Sequence, residues 1–142
     1  MRQAKAGLEA ILDIEIGLHV DFCAGWGIPA DRLETIPEHP ACMAYTRYVL
    51  ESGMAGDMLD LHVALAPCIV GYAEICSMLA SEGRIDGNTY RAWIEMYASD
   101  QYPSAARAQS DHLDSLIARR GGAGSLDSLT ATLGEATRLE AA

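Results

Sequence analysis

A cysteine and a tyrosine lie one helical turn apart in the most apolar stretch of the chain. Cys68 and Tyr72 both belong to residues 64–75, which read Ala-Leu-Ala-Pro-Cys-Ile-Val-Gly-Tyr-Ala-Glu-Ile. On an α-helix, residues four apart differ in direction by about 40°, so the thiol and the phenol point into one volume. Apolar surroundings raise a thiol's pKa, so a nucleophile there needs a partner that accepts its proton or stabilises the thiolate. Cys68 is therefore a candidate nucleophile, and the alternative is an inert, buried cysteine.

Tyrosines form the second candidate feature. Tyr45, Tyr72 and Tyr97 fall on the predicted inward faces of three different helices. Rings at stacking distance can hold a planar heterocycle, and their hydroxyl groups can orient its nitrogen atoms. Tyrosines at these spacings, together with Trp93, can equally fill a core. Spacing alone favours the core interpretation and identifies no substrate.

Glu15 and His19 are four residues apart on the otherwise apolar face of the first predicted helix. Such a pair could be a fragment of a metal site or could include a haem ligand. The other histidines are scattered along the chain, and no second cluster with ligand spacing accompanies the pair. We therefore expect a buried polar pair that satisfies itself and predict no metal site.

The four cysteines, at positions 23, 42, 68 and 76, lie within apolar helical patterns and form no Cys-x-x-Cys pair. This arrangement indicates free thiols rather than a disulfide framework or a zinc site. Free thiols are typical of a reducing compartment, so we expect a cytoplasmic protein. Apart from Cys68, the cysteines are expected to be structural.

Acidic residues outnumber basic residues by twenty to ten, which gives a formal net charge of −10 at pH 7. This charge would repel nucleic acid and anionic lipid, so neither is an expected partner. The most membrane-like stretch, residues 61–80, is long enough to cross a bilayer, but it contains His62, Pro67 and Glu74. Since basic anchors are also missing from its flanks, a buried core helix is the better interpretation.

The chain reads almost throughout with the period of an α-helix. Its 142 residues, half of them hydrophobic, are enough for one compact domain, so we predict a single all-α helical bundle over residues 1–142. Asp57 is placed to cap the third helix, and Pro67 is expected to kink that helix just before Cys68. The predicted helices cover residues 4–24, 41–52, 57–81, 89–98, 103–120 and a segment from 125 onward.

Five motifs together resemble one known family. They are residues 64–75, the run Tyr-Arg-Ala-Trp-Ile-Glu-Met-Tyr-Ala-Ser-Asp at 90–100, the run Ala-Tyr-Thr-Arg-Tyr-Val-Leu at 44–50, the Glu15-x-x-x-His19 helix and the terminal Thr-Arg-Leu-Glu at 137–140. In order and approximate spacing, they resemble the TenA or thiaminase II family. The resemblance covers nearly the whole chain.

The resemblance implies a haem-oxygenase-like helical bundle that need not bind haem, usually assembled as a homotetramer. It also implies hydrolysis of 4-amino-5-aminomethyl-2-methylpyrimidine, or more slowly of thiamin, to the hydroxymethylpyrimidine used in thiamin salvage. No metal or organic cofactor is implied. By matching position, Cys68 resembles the family's nucleophile and Glu140 its catalytic acid/base, while Tyr45, Tyr72 and Tyr97 match tyrosines that line the pyrimidine pocket.

The sequence departs from the family at both ends. Family members are longer, with earlier helices that carry a pyrimidine-binding aspartate and a final helix that follows the position of Glu140. We therefore expect a partial domain that lacks these segments. Two alternatives stay open: a truncated, non-catalytic helical interaction module of the same fold, and a haem- or quinone-type oxidative relative in which His19 faces a large cavity.

Overall fold

A computed structural model of the protein describes residues 15–83, 85–122 and 124–142. Within these ranges every regular element is helical, as predicted for an all-α protein. We number the α-helices in chain order, and a π-helical turn over Pro67–Gly71 joins α4 to α5. The helices are α1 (Ile16–Gly25), α2 (Ala30–Leu33), α3 (Pro40–Ala55), α4 (Met58–Ala66), α5 (Tyr72–Ser81), α6 (Arg91–Tyr97), α7 (Gln101–Arg120) and α8 (Leu126–Glu140).

The chain divides into two compact units, Met1–Glu38 and His39–Ala142. In the first unit, α1 ends at Gly25, one residue beyond the predicted end, and Gly27 turns the chain with a φ of 81° that favours glycine. Most of the predicted helix over residues 4–24 precedes residue 15 and lies outside the described residues. The single domain over 1–142 stays a prediction.

Helix α3 extends three residues further than predicted. Pro40 occupies its first turn, and His39 caps it by accepting a hydrogen bond at Nδ1 from the Ala41 amide (3.3 Å). Gly53 was expected to end this helix, but it lies inside it. A Cβ atom there would come within 2.9 Å of the Leu61 side chain, so this glycine allows α3 and α4 to approach closely.

Helix α4 begins with the predicted aspartate cap. Asp57 accepts a hydrogen bond from the Leu59 amide (2.6 Å), and the Asp60 carboxylate accepts one from the Asp57 amide (2.9 Å), which completes a capping box. Arg120, at the end of α7, also donates to Asp57 (2.8 Å). The hydrogen bond from Arg120, followed by that from the Leu59 amide, lowers the pKa of Asp57.

Where a kink was expected at Pro67, the structure has a π-helical turn. Proline has no amide hydrogen and its ring clashes with the preceding turn, so regular α-helical bonding cannot continue through it. The segment Met58–Ser81 is long and apolar enough to cross a membrane by length and composition alone. Here it is the central helical segment, in contact with α3, α7 and α8, which supports its interpretation as a core helix.

Two clusters of buried residues form the core of the second unit. One joins α4, α7 and α8 through Leu59, Val63, Leu116 and Leu129. The other joins α5 and α6 through Cys76, Ile94 and Tyr97, with further aromatic rings packed against it. The π-helical turn lies between these clusters along the chain.

We predict that Leu129→Ala lowers the free energy of unfolding by about 2–5 kcal/mol, because it leaves a cavity among α4, α7 and α8. Leu126→Ala is the matched control on the same helix. Leu129 is 6% exposed and Leu126 is 62% exposed, so the control should change stability by no more than about 0.5 kcal/mol. Urea unfolding followed by circular dichroism measures both; equal losses would contradict this description of the core.

Candidate active site

A hydrogen bond joins the start of α5 to the end of α8. The Tyr72 hydroxyl donates to Oε1 of Glu140 at 2.5 Å, across 68 residues of sequence. Burial, followed by the hydrogen bond to Glu140, raises the pKa of Tyr72 far above its usual value. Tyr72 therefore stays protonated and acts as a donor at neutral pH.

Cys68 is the second residue of the π-helical turn, and its side chain is half-buried. Its thiol donates to the Leu65 carbonyl with an Sγ–O distance of 3.1 Å. Its own carbonyl accepts a hydrogen bond from the Tyr102 hydroxyl at 3.2 Å. Hydrogen bonds therefore hold both the side chain and the backbone carbonyl of Cys68.

Tyr45 reaches this turn from α3. Its hydroxyl donates to the Ala64 carbonyl at 3.2 Å. Burial, then a hydrogen bond to the Cys68 side chain, raises the pKa of Tyr45 far above its usual value, and the Glu140 charge adds to the effect. The Cys68 charge likewise contributes to the raised pKa of Tyr72. Four of the predicted residues therefore lie close enough for their charges to shift the pKa values of the two phenols. They are Cys68, Tyr45, Tyr72 and Glu140.

Tyr97, the fifth predicted site residue, lies behind the others. It is 1% exposed and packs against Tyr72, Trp93 and Tyr102, with ring centroids 5.6, 4.6 and 4.3 Å away. Tyr97 is therefore part of the core, which is the interpretation that the spacing of the tyrosines alone favoured. This packing supports the ring of Tyr72 from behind, while a direct contact of Tyr97 with a ligand stays a prediction.

An open cavity of about 720 Å³ borders the Tyr72–Glu140 pair. Its lining includes Tyr72 and Glu140, whereas Cys68, Tyr45 and Tyr97 are absent from it. The walls are mostly apolar side chains of α7, α8 and the central helical segment. The volume lies within the range of small-molecule sites in proteins.

Two further carboxylates, Glu74 and Asp114, lie in the cavity wall, and among the described residues no Lys or Arg lines it. Sequence reasoning assigned Glu74 to ties between helices rather than to a site, and it did not single out Asp114, because a charged residue on a surface helix normally indicates only a solvated face. It also missed Tyr102 on the far side of the turn.

The Glu15–His19 pair forms in the first unit, with 3.8 Å between Oε1 and Nε2. Its side chains are 40% and 50% exposed, so the expected burial of the pair is wrong. His62 and His112, expected to be scattered, instead pack edge-to-face with ring centroids 4.8 Å apart. Within residues 15–83, 85–122 and 124–142, no three His, Cys, Asp or Glu side chains are grouped to hold a metal ion.

The cysteines are free thiols in the described structure. Cys76 is fully buried, and burial raises the pKa of its thiol, as is typical of a structural cysteine. Cys42 differs from its expected placement because it is exposed on α3. Burial thus separates Cys76 from the half-buried Cys68.

The chain was compared with known proteins. The sequence model of the TENA/THI-4/PQQC family matches residues 1–140. A protein of Haemophilus influenzae described as uncharacterised is 40% identical over 107 residues, which cover 75% of this chain and 50% of that protein. An aminopyrimidine aminohydrolase of Halalkalibacterium halodurans is 38% identical over 100 residues, which cover 70% of this chain and 45% of that protein.

A crystal structure described as a TenA family transcription regulator, from Silicibacter sp. TM1040, superposes with a TM-score of 0.87. It is 37% identical to this chain, and the match covers 96% of this chain and 62% of that one. The chain thus spans about half the length of these two curated relatives. The predicted haem-oxygenase-like helical fold is confirmed, and the chain belongs to the TENA/THI-4/PQQC family.

Proposed function

We propose that the protein is an aminopyrimidine hydrolase of thiamin salvage. Its proposed substrate is 4-amino-5-aminomethyl-2-methylpyrimidine, with thiamin as a second, slower one, and its product is 4-amino-5-hydroxymethyl-2-methylpyrimidine. The observation that carries this proposal is the hydrogen bond from Tyr72 to Glu140 within electrostatic range of Cys68. The relative named aminopyrimidine aminohydrolase supports the same reaction class.

The proposed mechanism uses a soft nucleophile and a carboxyl group. Glu140 takes the proton of the Cys68 thiol as the sulfur adds to an electron-poor carbon of the pyrimidine ring. It then passes this proton to the amine, which reacts in its neutral form, as the C–N bond breaks. Water then adds at the exocyclic methylene, Glu140 takes up its proton, and the thiolate leaves the ring. One water is consumed and one ammonia is released, so the reaction needs no metal or organic cofactor.

The two phenols have distinct tasks in this mechanism. The Tyr45 hydroxyl lies within hydrogen-bond reach of the Cys68 side chain, and turning its hydrogen from the Ala64 carbonyl to the sulfur would stabilise a thiolate more than a thiol. Tyr72 donates to Glu140 and so fixes the direction of the carboxyl group. Because the pKa values of both phenols are strongly raised, they hold their protons and do not compete as bases at neutral pH.

The cavity next to Tyr72 and Glu140 suits a flat, positively charged substrate. An aminomethyl group carries a positive charge at neutral pH, and the carboxylates of Glu74, Asp114 and Glu140 all border this space. Apolar walls favour the ring and its methyl group. Because Cys68 is absent from the lining, the ring would enter from this cavity past Tyr72 to meet the thiol.

By family resemblance, we propose a homotetramer that acts in the cytoplasm. The excess of acidic residues is consistent with a small cationic substrate and disfavours nucleic acid or an anionic membrane as a partner. The alternative function is a non-catalytic interaction module of the same fold. It would be favoured if the chain binds the pyrimidine without converting it.

We predict that Cys68→Ser lowers the rate of ammonia release from the aminomethylpyrimidine by at least about 10³-fold, because an alcohol is a far weaker nucleophile than a thiol. Cys42→Ser, which changes an exposed cysteine on α3, should leave the rate unchanged. Ammonia and the hydroxymethyl product are measured together. Full activity in the Cys68 variant, or no ammonia from the native protein, would contradict the proposal.

We predict that Tyr72→Phe lowers kcat about tenfold, because the ring is kept while the hydrogen bond to Glu140 is lost. KM should change much less, since the ring still borders the cavity. Tyr90→Phe is the control, because Tyr90 is 57% exposed at the start of α6. Steady-state kinetics with the aminomethylpyrimidine test both variants. Equal kcat values for the two variants would contradict the proposed role of the Tyr72 hydroxyl.

We predict that the free energy of unfolding falls as the pH rises above 10.0, the ordinary pKa of tyrosine. Tyr45 and Tyr72 have raised pKa values when folded, so above pH 10.0 the unfolded chain loses these protons first and is favoured. Urea unfolding at pH values on both sides of 10.0 measures the effect. Replacing both tyrosines with phenylalanine should weaken the pH dependence; an unchanged dependence would contradict this assignment.

A further inference from the structure

Tyr102 holds the backbone of the residue that we propose as nucleophile. It is the second residue of α7, and its hydroxyl donates to the Cys68 carbonyl at 3.2 Å. The two residues are 34 positions apart, so this contact joins α7 to the π-helical turn. Neither the sequence motifs nor the proposed mechanism assigns a task to this tyrosine.

Side chains donate hydrogen bonds to backbone carbonyls in and next to the π-helical turn. Pro67 supplies no amide hydrogen, so the helix loses one backbone hydrogen bond at this point. Side chains from three places donate to carbonyls around the turn: Tyr45 to Ala64, the Cys68 thiol to Leu65, and Tyr102 to Cys68. The bonds from Tyr45 and Tyr102 therefore tie the backbone around the turn to α3 and α7.

The ring of Tyr102 is held rigidly enough to define where its hydroxyl lies. It packs edge-to-face against Tyr97, with ring centroids 4.3 Å apart and planes at 63°. Tyr97 is itself 1% exposed, so this support cannot easily move. Because the packed aromatic rings fix the Tyr102 ring, its hydroxyl holds the turn in a fixed position relative to those rings.

We propose that Tyr102 is a positioning residue that aims the Cys68 thiol by fixing the Cys68 carbonyl; this inference rests on the function proposed above. The carbonyl and the side chain of Cys68 share one Cα, so a rotation of the turn moves both. A displacement of about 1 Å at a reacting atom can cost on the order of 10² in rate. Tyr102 acts through Cys68, and it is absent from the cavity lining.

Tyr102→Phe tests the inference, because it keeps the packed ring and removes the hydroxyl. We expect kcat to fall about threefold to tenfold, the range that one neutral hydrogen bond supplies, while KM stays unchanged. The matched control is Tyr48→Phe. Tyr48 also donates from one helix to a carbonyl of another, but its acceptor is Thr132 in α8 at 3.5 Å.

A second measurement needs no activity. Hydrogen exchange of the backbone amides of residues 68–73, followed by mass spectrometry, should speed up by about tenfold in Tyr102→Phe and stay native in Tyr48→Phe. If exchange in the turn is the same in both variants, or if kcat falls equally in both, Tyr102 has no positioning role.

These outcomes separate the inference from the proposed function. If Cys68→Ser keeps full activity, the proposed function fails, and Tyr102 then has no nucleophile to position. If Cys68→Ser is inactive and Tyr102→Phe behaves like Tyr48→Phe, only the positioning role fails. Loss of kcat in Tyr102→Phe together with faster local exchange supports the inference.

Discussion

The missing amide hydrogen of Pro67 is the constraint on which the candidate site depends. It interrupts the long apolar helical segment Met58–Ser81 and forces a π-helical turn over the next residues. Around this turn, Tyr45 of α3 donates to the Ala64 carbonyl and Tyr102 of α7 donates to the Cys68 carbonyl. The same interruption places Cys68 in an irregular, half-buried position, whereas Cys76 in the regular helix beyond it is sealed in the core.

The site is completed by an acid from the far end of the chain. Glu140 is the last residue of α8, and it accepts the Tyr72 hydroxyl just beyond the turn. Burial raises the pKa of both neighbouring phenols, so in the proposed mechanism the carboxyl group and the thiol are the groups that exchange protons with the substrate. The cavity beside them carries carboxylates in an apolar wall, an environment that favours a flat cation.

The sequence predicts the helices of this structure better than it predicts the contacts between them. Helical periodicity, the Asp57 cap and the interruption at Pro67 are local features, and each is found within a few residues of its predicted place. The helical role of Gly53 depends on Leu61 of another helix, so no local rule could identify it. The Tyr72–Glu140 bond and the Tyr102 contact likewise join distant positions; family resemblance pointed to the first pair, and nothing pointed to Tyr102.

The central claim is that Cys68 lies where a pyrimidine binds. Its most direct test is the alkylation of native protein with iodoacetamide, quantified separately at Cys68 and at the exposed Cys42 by peptide mass mapping. With saturating hydroxymethylpyrimidine present, we predict that alkylation of Cys68 slows at least about tenfold while that of Cys42 is unchanged. Equal alkylation of Cys68 with and without the pyrimidine would contradict the account.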